Sequence, residues 1–199
     1  GDLNAAAHFL SRAAFDQKLS AEQALTDLVT PICGEGVAER LLMGFDQVEK
    51  AAELIAANDP KATAPDAKTL LRELDSKDPP PAWWAEVKTC YTQAMNEMYR
   101  GNTRARGGAR PFILYHAKRL EFAMHYFTAL DVLRRAGNAR AQKDADAAAA
   151  ALEQAVEAFY NSLNALAEVA RDPSDLGAIA LLNREGYHRL LEVLNAGGE

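Results

Sequence analysis

The chain has 199 residues, enough for one domain with a full core or for two small domains. Hydrophobic residues make up 49% of the sequence and charged residues 25%, which is ordinary for a soluble globular protein. The formal net charge of -6 argues against a protein that binds duplex nucleic acid, because neutralising phosphates requires a basic surface.

Apolar residues recur at helical spacing through the first third of the chain. A first helix is predicted over residues 2–15. A second runs from a Ser20 cap, with Gln23 completing a capping box, to about Cys33. The next apolar stripe predicts a third helix over roughly 37–57.

Breaks and helices alternate in the middle of the chain. Residues 65–74 are predicted to form a short fourth helix, and the three prolines at 79–81 favour entry into a fifth. The stretch RGNTRARGGARP, residues 100–111, is predicted to be a loop because it contains several glycines and a proline.

The rest of the sequence predicts three more helices. The sixth follows the loop and ends where Gly137 and Asn138 interrupt the pattern, and a seventh begins after that break. The last helix spans roughly 174–195, with Leu176 and Leu190 on one apolar stripe. Since no segment alternates as a strand does, we predict an all-α protein, an antiparallel bundle of about seven helices without a sheet.

We expect a single domain over residues 1–199. The alternative is a division into 1–58 and 83–199 around an irregular connection, 59–82, that is rich in proline, aspartate and lysine. The chain begins at Gly1 rather than Met and shows no signal peptide, so we expect a processed or excised piece. No apolar run approaches the roughly 20 residues that cross a bilayer.

The sixth predicted helix carries an unusual arginine. A helical wheel places Arg119 inside a wide apolar arc beside Tyr115 and Tyr126. A buried guanidinium needs a partner, so we predict a buried ion pair or amide contact with another helix. The alternative is that these three residues form a cleft or an interface anchor. The candidate partners of Arg119 are Asn183, Glu157 and Glu168.

Metal and catalytic motifs are not evident in the sequence. Lys118, Glu121 and His125 fall on the remaining strip of the sixth helix, which we expect to face solvent. Glu121 and His125 are four residues apart, whereas a carboxylate-bridged dimetal site uses Glu-x-x-His at three. Cys33 and Cys90 show no metal-ligand spacing. We therefore predict no metal site, no catalytic residue and no cofactor.

Two further features are candidates for binding. Trp83 points away from the apolar stripe of its helix and could serve as a sugar-stacking platform or a domain contact. Arg104 and Arg106 lie in the predicted loop, the one basic spot of an acidic chain, and could hold an anionic ligand or an acidic partner surface. Trp84, in contrast, lies on the apolar stripe and is predicted to belong to the core, and the structural alternative for the arginines is a solvated loop.

The first third of the chain also has a recognisable order of features. An aromatic-Asp pair, Phe15-Asp16, precedes the cap that begins at Ser20, and Gly34 precedes a long helix. This stretch resembles the helical region that follows the catalytic barrel in some large secreted glycoside hydrolases, α-glucuronidase-like and hexosaminidase-like enzymes of polysaccharide-degrading bacteria. Phe15 departs from their pattern, in which tryptophan is common. The similar segments are AAAHFLSRAAFDQKLSAEQALTDLVTPICGEGVAERLLMGFDQVEKAAELI, FILYHAKRLEFAMHYFTALDVLRRA and LGAIALLNREGYHRLLEVL.

This resemblance implies a non-catalytic accessory domain that packs on the catalytic barrel of a larger secreted carbohydrate-active enzyme. In such enzymes the catalytic carboxylates lie on the barrel, so no catalytic residue carries over to this chain. The implied partners are the missing catalytic domain of the same polypeptide and polysaccharide, and the implied location is secreted or periplasmic. The alternatives are a free-standing helical sensor or small-ligand-binding domain, and a helical enzyme with an unrecognised site.

Overall fold

Most residues of this protein lie in helices. The computed structural model describes residues 4–60 and 65–196, and it is 83% helical with no strand among these residues. The all-α prediction is therefore confirmed. The first two positions of the predicted first helix, 2 and 3, lie outside the described residues.

The helices follow one another through short connections. In chain order they are α1 (Ala5–Ala13), α2 (Ala21–Cys33), α3 (Val37–Asn58), α4 (Ala67–Leu74), α5 (Trp83–Arg104), α6 (Arg110–Ala141), α7 (Ala145–Ala167), α8 (Pro173–Leu182) and α9 (His188–Ala196). A 3-10 turn, Gly107–Ala109, precedes α6, and a π-helical turn, Asn183–Tyr187, joins α8 to α9.

Capping side chains fix where several helices begin. The Ser20 hydroxyl accepts the backbone N–H of Gln23 at 3.0 Å, so the predicted cap of α2 is confirmed. Asn4, Asp144 and Asp172 accept backbone N–H groups in the same way at the starts of α1, α7 and α8. Each cap satisfies donors that have no partner inside the helix.

The chain groups into two compact units. The first comprises Gly1–Glu49 and Gln93–Ala117, and the second comprises Lys50–Thr92 and Lys118–Glu199. The helices α3, α5 and α6 contribute residues to both units. The connection predicted over 59–82 belongs to the second unit and contains α4. Whether the chain acts as one domain or two stays a prediction.

The prediction of a loop over residues 100–111 is wrong for most of that stretch. The helix α5 continues to Arg104, and α6 begins at Arg110. Gly101 is buried within α5 in the first unit, and a Cβ built on it would lie 3.5 Å from the Cβ of Arg40 on α3. An added Cβ would make only ordinary van der Waals contact there, and the glycine does not interrupt the helix.

The helix α4 runs alongside α6 in the second unit and is bonded to it near both ends. At its start, the Tyr126 hydroxyl accepts the backbone N–H of Asp66 at 3.0 Å and donates to its carbonyl at 3.1 Å. At its end, the buried Glu73 carboxylate accepts from the Arg134 guanidinium at 3.0 Å. That guanidinium also lies over the ring of Trp84, 5.5 Å from its centroid, a cation–π contact.

The prediction that α6 ends at Gly137 and Asn138 is also wrong, because the helix runs through both. Gly137 lies against two backbone carbonyls: a Cβ built on it would be 2.5 Å from the oxygen of Leu74 and closer still to that of Ser76. Asn138 donates from its amide to the carbonyl of Lys77 at 2.6 Å. The pair forms a contact point for the chain that follows α4, and glycine is needed there for close approach.

The π-helical turn changes the register between α8 and α9. Leu176 and Leu190 share one stripe on an uninterrupted helical wheel, but Leu190 is fully buried and Leu176 is exposed. A π turn inserts one residue relative to an α-helix and rotates the following segment. Gly186 in this turn packs against Phe159, whose ring would lie 2.7 Å from an added Cβ. Leu176 is the exception on the stripe predicted for the last helix, because Leu190 is buried and the other members are half-buried: Ile179, Asn183, Tyr187 and Leu194.

Candidate docking surfaces and grooves

Arg119 lies on the exposed surface of α6, so the prediction that it is buried is wrong. The expected solvent-facing strip is instead half-buried, and Lys118 on it bonds to Glu121 at 3.0 Å and to Glu168 at 2.9 Å. Apolar residues cover more than half of the circumference of α6, so their positions on the wheel do not show which side of the helix faces solvent. A lysine stem can cover apolar surface while its ammonium group reaches carboxylates.

The partners expected for Arg119 are placed differently. Glu168 bonds to Lys118, and Glu157 is exposed on α7. The Asn183 amide nitrogen lies 3.4 Å from the ring nitrogen Nε2 of His188. These residues therefore do not form the buried network that the wheel predicted around an arginine in the core.

The two tyrosines predicted beside Arg119 differ in their surroundings. Tyr126 is 3% exposed, and its hydroxyl is fully used by the backbone of Asp66, so it has a structural role. Tyr115 is half-buried, and its ring meets that of His116 edge-on at 5.8 Å. A binding role for Tyr115 stays a prediction.

Ionisation of Tyr126 should weaken the fold at high pH. Burial raises the pKa of Tyr126 to about 12, against about 10 when unfolded. Because the folded pKa is the higher one, the stabilisation is fully present below about pH 10 and is lost as the pH rises to about 12, by up to about 3 kcal/mol. Tyr126→Phe should cost about 1 kcal/mol at neutral pH through the lost hydrogen bonds.

Denaturant unfolding of the wild type and Tyr126→Phe across this alkaline range checks the expectation. The stability advantage of the wild type should shrink and then reverse as the pH rises. An advantage that stays constant over the same range would contradict it, since other groups titrate equally in both proteins.

Trp83 occupies the edge of the core in the second unit. Its half-buried ring meets Trp84 edge-on at 6.0 Å and Phe127 at 6.4 Å. The neighbouring Trp84 is buried, as its place on the apolar stripe predicts. These contacts support a packing role for Trp83, and a sugar-stacking or domain-contact role for its exposed part stays a prediction.

Arg104 and Arg106 are brought together at the turn that joins α2 to α3. The Arg106 guanidinium donates to the carbonyl of Pro31 at 2.7 Å, and its backbone N–H donates to the carbonyl of Cys33 at 2.9 Å. Arg104 lies beside Gly36, where an added Cβ would be 3.4 Å from its Nη1. Both arginines are exposed, and at least Arg106 is committed to holding this turn.

The first helix presents apolar residues on two sides. Ala5, Phe9 and Ala13 are half-buried on the side that packs on α2, and the Arg12 guanidinium bonds to Asp27 of α2 at 2.5 Å. The opposite side is exposed and also apolar. We define the α1 outer surface as Ala6, Ala7, Leu10, Ala14 and Phe15.

The turn after α1 holds Phe15 in an exposed position. Asp16 accepts the backbone N–H of Lys18 on its carboxylate at 3.0 Å and that of Leu19 on its carbonyl at 3.2 Å. Leu19 is buried and anchors the turn, whereas Phe15 is 94% exposed and Leu10 is 67% exposed. Fully burying one such side chain contributes about 1.5–3 kcal/mol, so burying this surface against a partner would contribute substantially to the free energy of binding.

Two grooves offer further places for a ligand. One lies in the second unit between α3 and α5, has a volume of about 700 Å³ and includes Leu54, Ala57, Ala85 and Cys90 in its walls. The other lies in the first unit between α2 and α3 and has a volume of about 720 Å³. Among residues 4–60 and 65–196, no three His, Cys, Asp or Glu side chains are grouped so that they could hold a metal ion.

Comparison with known proteins adds no relative. No family model, no curated protein and no solved structure matches the chain. Within the described residues, no helix is both long enough and apolar enough to span a membrane. The candidate sites therefore rest on the geometry of this chain and on the resemblance described above.

Sequence reasoning missed the grooves and the outer side of α1. A groove depends on how two helices pack, which the sequence does not show. The α1 outer surface did leave a signal, since AAAHFLSRAAF places apolar residues all around a short helix. A helix with that pattern either lies inside a core or has a second partner.

Proposed function

We propose that this chain is a non-catalytic helical accessory domain that docks on another protein domain through the α1 outer surface. The observation that carries the proposal is the exposure of Leu10 and Phe15 beside three exposed alanines. Contiguous exposed apolar patches of this kind mark interaction sites. Aromatic residues such as Phe15 are enriched in protein–protein interfaces.

The proposed partner is the catalytic barrel of a larger secreted or periplasmic carbohydrate-active enzyme that contains this chain. The resemblance to helical regions of glycoside hydrolases supports this choice, and it includes the Phe15-Asp16 pair. In this chain Asp16 shapes the turn and Phe15 is left exposed, which suits a pair that presents an aromatic ring to a neighbouring domain.

The buried carboxylates support a structural role for the helices. Glu73 bonds to Arg134, and Asp131 bonds to Lys88 and Arg135, so both carboxylates join or stabilise helices within the second unit. Neither opens into one of the two grooves described above. Their positions suit a packed scaffold better than an acid–base site.

Phe15→Ala and Leu10→Ala should each weaken docking about tenfold or more, because each removes a large apolar contact from the interface. To test this, the neighbouring barrel domain of the natural polypeptide is expressed separately, and its affinity for this chain is measured by calorimetry. Leu176→Ala, which truncates an exposed leucine on α8, is the matched control and should leave the affinity unchanged. A natural gene that encodes no such domain, or equal affinities for all three variants, would refute the proposal.

The alternative is a small-ligand-binding domain, and the groove between α3 and α5 favours it. Its volume of about 700 Å³ falls within the range of about 300–1,000 Å³ that small-molecule sites occupy, and Leu54, Ala57 and Ala85 give its walls an apolar part beside charged side chains. Small-molecule binding that Ala57→Trp abolishes, together with an unchanged affinity of Phe15→Ala for the barrel domain, would favour this alternative.

A further inference from the structure

Arginines are concentrated near the junction of α5 and α6. Residues 98–117 contain four arginines and no aspartate or glutamate, in a chain whose net charge is -6. Arg100 is already paired, since its guanidinium bonds to the Glu97 carboxylate at 2.6 Å. We define the arginine cluster as the three that remain, all of them exposed: Arg104, Arg106 and Arg110.

Three distances place the cluster around the turn that joins α2 to α3, Gly34–Gly36. Nη1 of Arg104 lies 3.4 Å from a Cβ built on the last residue of this turn, and Nε of Arg106 lies 3.8 Å from a Cβ built on the first. Nε of Arg110 donates to the carbonyl of Ala105, the residue between the other two arginines, at 3.2 Å. All three side chains therefore lie around one small part of the first unit.

No carboxylate within residues 4–60 and 65–196 forms an ion pair with the arginine cluster. The Arg106 guanidinium donates to the carbonyl of Pro31, and Arg110 also donates to a carbonyl. Such a bond uses one of the five N–H donors of a guanidinium and leaves its positive charge in place. Two of the arginines are therefore held in position while most of their donors can still bind a ligand.

The surface beside the cluster is open and has acidic residues next to it. No atom lies within 4 Å of a Cβ built on Gly107 or on Gly108. Glu35 lies within the turn that the cluster surrounds, Glu39 follows in the first turn of α3, and both are exposed. An open surface binds a single small anion weakly, because water and salt screen each charge. A ligand with several neighbouring anionic groups can contact all three guanidiniums at once.

We propose that the arginine cluster binds a short acidic segment of a partner protein, with aspartate or glutamate carboxylates on its guanidinium groups. The paired N–H donors of arginine match the two oxygens of a carboxylate. A short segment suits this surface, because Glu35 and Glu39 would repel a polyanion that continues past the cluster, as a nucleic acid does. The cluster shares no residue with the α1 outer surface, and this proposal does not depend on the docking proposed above.

Fluorescence anisotropy with a labelled octa-aspartate peptide tests the proposal, with a labelled single-stranded oligothymidine of equal charge as the comparison probe. The peptide should bind about fivefold more tightly, because it is shorter and meets fewer of the acidic residues around the cluster. Arg104→Gln combined with Arg110→Gln should weaken peptide binding about tenfold. The control, Arg140→Gln with Arg184→Gln, makes the same charge change on exposed arginines of the second unit and should not.

Chemical modification of the wild-type protein locates the bound peptide without any substitution. Phenylglyoxal modifies guanidinium groups, and mass spectrometry of the digested protein gives the rate at each arginine. The bound peptide should slow the reaction at the arginine cluster and leave the rates at Arg140 and Arg184 unchanged. No detectable peptide binding, equal losses in the two double variants, or equal protection of all these arginines would each overturn the proposal. An oligothymidine that binds as tightly as the peptide would also overturn it, since the cluster would then be a nucleic-acid site.

Discussion

Gly137→Ala is expected to destabilise the protein by about 3 kcal/mol, one of the largest effects for any single methyl group in this chain. The added Cβ would meet the carbonyl oxygens of Leu74 and Ser76 at distances that no side-chain adjustment can relieve, because both neighbours are backbone. Either α6 or the segment after α4 must move. Thermal unfolding should show a melting temperature lower by about 6–12 °C.

The matched control for this substitution is Gly177→Ala. Gly177 is an exposed helical glycine on α8, and nothing lies within 4 Å of a Cβ built on it. Alanine is favoured over glycine within a helix by about 1 kcal/mol, so this variant should be as stable as the wild type or slightly more stable. If the two variants have the same melting temperature, the close approach at Gly137 has no energetic importance and the expectation is contradicted.

Glu73→Ala should cost about 3 kcal/mol, because it removes the carboxylate that compensates a largely buried guanidinium. The Glu73 side chain is 4% exposed and that of Arg134 is 19% exposed, and their charged atoms lie 3.0 Å apart. Without Glu73, Arg134 keeps the carbonyl of Asp78 at 3.3 Å and its exposed carboxylate at 3.8 Å, which compensate the charge less well than a buried carboxylate does. Urea unfolding at neutral pH measures the loss.

Two further variants show whether the loss comes from the stranded charge. Glu73→Leu combined with Arg134→Met removes both charges and should recover at least half of the stability lost in Glu73→Ala. Glu192→Ala breaks the exposed pair with Arg189, which has a similar separation of 2.8 Å, and should leave the stability nearly unchanged. A double variant as unstable as Glu73→Ala would show that packing, and not charge, accounts for the effect.

Periodicity and capping chemistry were sufficient to predict the fold class and most helices. Ser20 and Gln23 marked the start of α2, and the apolar stripe after Gly36 marked α3 almost to its last residue. Both signals are local, since they depend on residues within a few turns of one another. Local signals survive in a single sequence without any knowledge of the neighbouring helices.

Glycines were the main source of error in the helix boundaries. Gly101 and Gly137 are predicted breaks, but both lie inside helices, and at Gly137 another chain segment passes close to the backbone. The sequence cannot distinguish these cases, because a glycine needed for a turn and one needed for close packing are the same residue. Only the position of the distant segment, such as the carbonyl of Leu74, separates them.

The candidate site residues were predicted less well, for a related reason. Arg119 was assigned to the core because apolar residues surround it on the wheel, and it lies on the surface. Tyr126 lies on the same apolar arc, and it is buried against the backbone of Asp66 as that arc predicts. The wheel fails for Arg119 because it gives angular neighbours within one helix and contains no information about the helices that cover it.

The attachment of α4 at both ends has a consequence for the dynamics of the molecule. An isolated helix of eight residues is too short to be stable in water, so α4 is ordered by its neighbours and not by its own hydrogen bonds. Tyr126 and Arg134 are eight residues apart on α6, which nearly matches the seven residues from Asp66 to Glu73. The short helix is therefore bonded to α6 at both of its ends. Releasing either point should let α4 open as a unit while α6 and α7 stay folded, and amide hydrogen exchange would register that opening as a free energy below that of global unfolding.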